Sequence, residues 1–316
     1  MPRVSVILPF YNRAATLPRC IESVRAQTFT DWEMVAVDDC SRDDSAAVVK
    51  RYNDARIRVL RHEQNRGAGP ARDTAMANAA GEWFALIDSD DEWLPGKLAA
   101  QIEALERDGR AQSCVCHFHY LRDGQTVLKP KPLRDSFART LHRECTYNFG
   151  TILVIHRDLA RSLGPFDPDL PRHEDWEWML RAAEQGHTPL LVGEPLARAY
   201  CTDRPRVDQF ATSTERFLAK YDASFLREGA DYRRQIVAYH YESVASMAYE
   251  QRRYRLGHRY LLKSFATWPR RSPLALVALP LSVVDWVLRT RFIQWGAQLR
   301  RRLFEYDDPP VVKAAA

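Results

Sequence analysis

A chain of 316 residues with 46% hydrophobic and 28% charged side chains has the balance of a globular protein with one large or two ordinary cores, which excludes disorder as its default. The net charge of +5 is unevenly spread: residues 251–302 carry twelve Lys/Arg against one acid, Asp285, and leave the rest at −6. A mildly acidic body with a basic tail points to an anionic surface, either membrane or nucleic acid, as a partner of the tail. No recognisable nucleic-acid-reading module accompanies the charge, so no nucleic-acid partner is expected.

Residues 4–8 read as a strand, and Pro9 stops the apolar run far short of a signal peptide's core. The expectation is a cytoplasmic protein, peripheral on the inner face of the membrane. Leu17, Ile21 and Val24 then fall on one face of a helix. Further strands are expected at 34–37, 57–60 and 83–87, separated by helical patterns at 46–52 and 71–80. Alternation with crossovers of this length implies an α/β fold, a Rossmann-like, mostly parallel sheet with helices on both faces. Another strand is expected at 113–120.

Residues 122–150 are rich in Pro and Lys with weak periodicity, and predict an irregular region near an active-site mouth. A short strand at 153–155, a helix near 157–163 and a Pro-rich stretch at 164–171 lead to a helix at 174–185. The first domain is expected to span 1–205, and 206–316 to form a helical C-terminal region. Within it, 272–288 are apolar but interrupted by Pro280 and Asp285, and fall short of the roughly 20 residues that span a bilayer. Leu281, Val284, Leu288, Phe292, Trp295, Leu299 and Leu303 form a stripe flanked by arginines, the pattern of a helix lying in a membrane interface. A helix packed on protein is the alternative.

The six cysteines show no C-x-x-C spacing, so thiols in a reducing compartment are expected. Strand alternation sends Cys114 and Cys116 to one face and His117 and His119 to the other, which argues against a shared zinc site.

Chemistry concentrates at the strand ends. The first strand runs into Pro9-Phe10-Tyr11-Asn12-Arg13 and the second into Asp38-Asp39-Cys40-Ser41. Asn65-Arg66-Gly67-Ala68-Gly69-Pro70-Ala71-Arg72-Asp73 follows the third, and Asp88-Ser89-Asp90-Asp91 the fourth. All four lie at one end of a parallel sheet, where ligands bind in open α/β folds. The alternate carboxylates Asp88 and Asp90 are hard oxygen ligands suited to Mg²⁺ or Mn²⁺ shared with a diphosphate. His173-Glu174-Asp175-Trp176 opens a later helix and offers a carboxylate as proton acceptor. Trp176, Trp178 and Trp93 are candidates for an acceptor-side platform, although single tryptophans are more often core residues. Asp38 and Asp39 have a helix-capping alternative, and Glu174 and Asp175 a helix-dipole one.

Taken in order, these segments resemble the family 2 glycosyltransferases of the GT-A fold, over residues 1 to about 200. The resemblance implies inverting transfer of a sugar from a nucleotide-diphosphate donor, usually a UDP-sugar, with Mn²⁺ or Mg²⁺ as cofactor. It implies that Tyr11 packs on the nucleobase, Asp39 bonds the base edge and Arg72 lies on the donor side, with Pro9 and Ser89 lining that site. Asp88 would face the ribose or diphosphate, Asp90 would be the principal metal ligand, Asp175 the catalytic base and Glu174 its neighbour in the catalytic pair. Asp73 stands where many relatives have Asn, which predicts an altered donor pocket. Tyr200-Cys201-Thr202-Asp203 stands where some have Tyr-Arg-x-His, leaving Asp203 as a substitute ligand. The acceptor is expected to be a glycan or lipid-linked saccharide in surface polysaccharide synthesis. Transfer to a polyprenyl phosphate and a non-catalytic sugar-nucleotide-binding scaffold are the alternatives.

Overall fold

Four short apolar runs build the parallel half of a nine-stranded sheet: β1 (Val4–Phe10), β2 (Trp32–Asp38), β3 (Ile57–Arg61) and β4 (Trp83–Leu86). The computed structural model that contains them describes residues 1–122, 125–129, 136–201 and 206–269. Their spatial order is β3-β2-β1-β4, with β1 pairing in parallel with both β2 and β4. Every residue of β1 is buried, as expected for a central strand covered on both faces. The crossovers are α1 (Leu17–Arg25), α2 (Ser45–Lys50) and α3 (Ala68–Ala77). Leu17, Cys20, Ile21 and Val24 recur at three- and four-residue spacing, so α1 turns one stripe inward and all four are fully buried. Truncating Ile21 to alanine would leave a cavity costing about 2–5 kcal/mol.

The sheet changes character beyond β4. Short β5 (Glu92–Trp93) and α4 (Lys97–Asp108) precede β6 (Ser113–Arg122) and β7 (Gln125–Lys129). After α5 (Phe137–Arg143) and α6 (Phe149–Ile152) come β8 (Val154–His156), α7 (Arg157–Leu163), α8 (Glu174–Glu184) and β9 (Leu190–Tyr200). Strand order continues β4-β8-β6-β9-β5, with β7 on β6. The β4–β8, β8–β6, β9–β5 and β6–β7 pairs are antiparallel, while β6–β9 is parallel. The parallel expectation therefore describes the first four strands, and the rest is mixed. The stretch expected to be irregular contains β7, α5 and α6; 123–124 and 130–135 lie outside the described residues.

Contacts divide the chain into two compact units, Met1–Arg204 and Pro205–Ala316. In the second, α9 (Val207–Arg227), α10 (Ala230–Glu250) and α11 (Tyr254–Thr267) follow one another. Val207, Ala211, Val244, Ala245, Ala248, Tyr260 and Leu261 form a core among the three helices. Among the described residues no helix is long and apolar enough to cross a membrane. The 272–303 stripe lies outside them. All six cysteines are described, and none forms a disulfide.

Candidate active site

Because β1 to β4 run in parallel, the segments that leave their carboxyl ends meet at one edge, and hydrogen bonds stitch them together. The Asp39 amide donates to the Phe10 carbonyl at 2.9 Å and that of His62 to Asp38 at 2.9 Å. After β3 the chain turns through Gly67 at φ 94°, a conformation open to glycine and strained for other residues. The amides of Arg66 and Gly67 donate to the Asp39 carboxylate at 2.7–3.1 Å, and His62 Nδ1 lies 2.8 Å from its Oδ1. Asp39, the residue expected to bond a base edge, is buried at this edge, and its contacts also anchor the Arg66–Gly67 loop. Asp38 is likewise occupied, by the Ser41 amide at 2.7 Å and Arg61 at 3.1 Å.

Pro9 is buried within β1, opposite Val37. Tyr11, one residue beyond the strand, is 38% exposed and offers an open aromatic ring at the same edge. Ser89 is buried, while Asp88 and Asp90 keep 29% and 18% of their side chains exposed.

Arg72 joins the two acidic clusters. It sits on α3, is 3% exposed, and spans Asp88 Oδ1 at 2.6 Å through Nη2 and Glu174 Oε1 at 2.9 Å through Nη1. Burial works against its charge, and Asp88 and Glu174 outweigh that cost to hold the guanidinium protonated. Glu174 and Asp175 occupy the first turn of α8, where the helix dipole favours carboxylates. Asp175 Oδ2 accepts the Gly150 amide at 3.2 Å and Oδ1 its neighbour Trp176's amide at 2.8 Å. Burial, reinforced by Glu174 and Asp88 and opposed by Arg72, pushes the Asp175 carboxyl up to about 6. Residues more than eighty positions apart in sequence thus share one crevice.

Two residues that sequence reasoning left without a role complete it. Gly150 is wedged against the cluster, with space for no side chain between it and Asp88. Asp91 is 2% exposed and accepts from Thr151 Oγ1, Asn148 Nδ2 at 2.9 Å and the Tyr200 amide at 2.9 Å. Burial, then Asp88 and Asp90, pushes its carboxyl well up. Its place in the Asp88–Asp91 run was the available signal; its partners are remote in sequence and carried none.

The tryptophans correct an expectation. Trp93 and Trp178 are 1% and 0% exposed, and Trp176 is also buried. Their Nε1 groups donate to the carbonyls of Thr151, Gly164 and Leu141. An indole enclosed this way has no face left for a sugar, so the three are core residues. Asp73 is also differently placed: both its oxygens accept the Phe166 amide at 3.2 Å, pinning the 164–171 segment to α3. Burial pushes its carboxyl up to about 6.

Among the described residues no three His, Cys, Asp or Glu side chains form a cation cage. Asp203 lies outside them. Two partly exposed carboxylates nevertheless fit Mg²⁺ or Mn²⁺, which take one or two protein carboxylates and fill the remaining positions with substrate phosphate and water.

A solved structure, the mannosyltransferase PcManGT from Pyrobaculum calidifontis in complex with GDP-Man and Mn²⁺, superposes with a TM-score of 0.59. It covers 97% of this chain and 88% of its own at 19% identity, a likeness of fold. The putative colanic acid biosynthesis glycosyl transferase WcaA of Escherichia coli K12 is 39% identical over 204 residues, 61% of this chain and 70% of that one. An Escherichia coli enzyme named UDP-Glc:alpha-D-GlcNAc-diphosphoundecaprenol beta-1,3-glucosyltransferase WfgD is 41% identical over 102 residues, 32% of this chain and 40% of its own. The family model described as "Glycosyl transferase family 2" matches residues 5–164, half the chain and all four strand-end segments. With the crevice those segments form, that match makes the chain a glycosyltransferase, a member of glycosyl transferase family 2.

Proposed function

We propose that this enzyme is a metal-dependent inverting transferase that moves a sugar from a UDP-sugar to a hydroxyl of a glycan or lipid-linked saccharide in surface polysaccharide synthesis. The observation that carries the reading is the Arg72 bridge, which brings Asp88 of the donor-side cluster and Glu174 of the base-side helix to opposite ends of one guanidinium. Relatives support the substrate class: one is named for colanic acid synthesis and another for a diphosphoundecaprenol-linked acceptor.

In this reading Tyr11 packs on the base, Asp39 holds the loop beside it, and Pro9 and Ser89 shape the wall. Asp90, with Asp88, holds Mn²⁺ or Mg²⁺, whose chemistry is Lewis-acid stabilisation of charge on the leaving diphosphate. Asp175 accepts the proton of the attacking hydroxyl. Its raised affinity for protons suits that task, since a base is most effective when its pKa lies near the working pH. Glu174 stays on Arg72 and orients it. Attack from the face opposite the diphosphate inverts the anomeric carbon without a covalent intermediate. The basic, apolar-striped residues 272–303 bring the enzyme to an anionic membrane, where a lipid-linked acceptor resides.

The test is incubation with a panel of nucleotide sugars and with glycan, lipid-diphosphate saccharide and polyprenyl-phosphate acceptors, with Mn²⁺ or EDTA. The anomeric configuration of the product is then read by NMR. Retention of configuration, or full turnover in EDTA, would contradict the proposal. A product formed on polyprenyl phosphate alone would favour the alternative acceptor.

A further inference from the structure

Arg13 leaves β1 at the same edge as Asp90, in a loop latched by the protein itself. The amides of Asn12, Arg13 and Ala14 donate to Ser41 Oγ at 3.0 Å, Ser45 Oγ at 2.7 Å and Asp43 Oδ2 at 3.1 Å. Asn12 Oδ1 accepts the Arg42 amide at 2.8 Å, and its backbone holds φ 51°, a left-handed conformation that asparagine tolerates. Three consecutive amides fastened to side chains of residues 41–45 give the Arg13 side chain a fixed base.

Arg13 Nη2 stands 3.8 Å from Asp90 Oδ2, and the side chain is 30% exposed. That separation is a charge pair, longer than a hydrogen bond. Arg19, the other cation at this point, has a different posture. Its Nη2 donates to the Asp90 carbonyl and its guanidinium lies 3.6 Å from the centroid of the Tyr200 ring. Arg19 therefore holds the Asp90 backbone, whereas Arg13 stands beside the Asp90 carboxylate and is part-exposed.

We propose that Arg13 binds the diphosphate of the nucleotide donor and shares with the metal at Asp90 the neutralisation of leaving-group charge. This deepens the donor reading given above and rests on it. A guanidinium matches phosphate oxygens with two parallel N–H groups, a stronger and more directional contact than a single charge. Placed where negative charge accumulates as the sugar departs, it stabilises the transition state without moving far. Affinity for UDP then has a component that persists without divalent cation, and the nucleoside alone lacks it.

The experiment is calorimetric titration of UDP and uridine into the full chain, its Arg13→Gln variant and its Arg13→Lys variant, each in Mg²⁺ and in EDTA. Arg13→Gln is expected to weaken UDP roughly tenfold or more in both conditions, the loss of one charged hydrogen-bonding partner. Uridine affinity should stay unchanged, and Arg13→Lys should recover part of the UDP loss. Unchanged UDP affinity in Arg13→Gln, or an equal loss for UDP and uridine, would overturn the proposal. Wild-type protein that binds neither ligand would instead overturn the donor reading on which it stands. Thermal melting of each variant separates a local loss from misfolding, and Arg13→Lys carries the test if the glutamine variant does not fold.

Discussion

Gly150 and Asp88 are in such close contact that a β-carbon on Gly150 would lie 2.6 Å from Asp88 Oδ2 and 2.7 Å from Arg72 Nη2. The backbone of α6 therefore forms one wall of the acidic cluster, and its amide binds Asp175 at the same point.

Gly150→Ala should force the Asp88 carboxylate off Arg72. Overpacking of this kind costs about 1–3 kcal/mol, so the protein should fold with a lowered Tm while turnover and UDP affinity drop roughly tenfold. Melting, UDP titration and transfer assays on the same preparation check this. A fully active alanine variant would mean that the wall is soft and the cluster indifferent to it.

Asp90→Ala tests the metal. UDP at a hundred times its Kd stabilises a folded protein by about 2.7 kcal/mol. For a domain of this size that is roughly 5–10 °C. The increment should be large with Mn²⁺ and smaller with EDTA, and the variant should lose the metal-dependent part. Identical UDP stabilisation with and without metal in the parent protein would refute the ligand role.

Asp175→Asn removes the proton acceptor and keeps the shape. Turnover at saturating donor should fall roughly 10²–10⁴-fold, with UDP binding barely changed. Because the Asp175 carboxyl is raised to about 6, kcat/KM of the parent enzyme should climb with pH to about that value and level off above it. Glu174→Gln should be milder. Near-normal turnover in Asp175→Asn would move the base elsewhere.

Asp73 gives a stability prediction. Its folded pKa, about 6, lies above its unfolded value of 3.8, so between them the native state binds more protons than the unfolded one. Stability therefore falls as pH rises through this window, and the ionised group is a liability at neutral pH. Asp73→Asn retains an acceptor for the Phe166 amide. It should raise stability at pH 7.5 by about 1 kcal/mol once solvent screening is discounted, or roughly 2–4 °C in Tm. The gain should vanish near pH 4. An equal gain at both pH values would point to a cause other than ionisation.

The tail predicts salt-sensitive membrane attachment. Sedimentation with phosphatidylglycerol vesicles should be strong at low salt and weaken as salt rises. Salt-independent retention would indicate insertion, and no sedimentation a helix packed on protein.

The parallel half of the fold was legible because its signals are local. Val4 to Leu8 form an unbroken apolar run, and Leu17, Ile21 and Val24 announce the helix that covers it. The strand-end clusters were legible for the same reason: they are short, ordered and fall where the topology gathers them. Antiparallel β8 and the edge position of β5 depend on pairings between distant segments, which periodicity does not encode. Trp93 and Trp178 misled because an indole reads alike in a core and in a sugar cleft until its Nε1 partner is known. The loop contacts of Asp39 and Asp73 were not legible: their carboxylates accept backbone amides, a role that leaves no pattern in side-chain spacing.

Asp91 sets a constraint on any exchange of the segment that carries α5 and α6. Its carboxylate takes hydrogen bonds from Asn148 and Thr151 on one side and from the last residue of β9 on the other. A transplant of the 136–152 segment from a relative would leave a buried carboxyl group short of hydrogen-bond partners if it failed to bring equivalents of both side chains. Leaving a buried polar group unsatisfied costs about 1–3 kcal/mol, a large share of the stability of a marginal chimera. The tolerated exchange boundaries lie outside Asn148 and Thr151, with those two positions held constant.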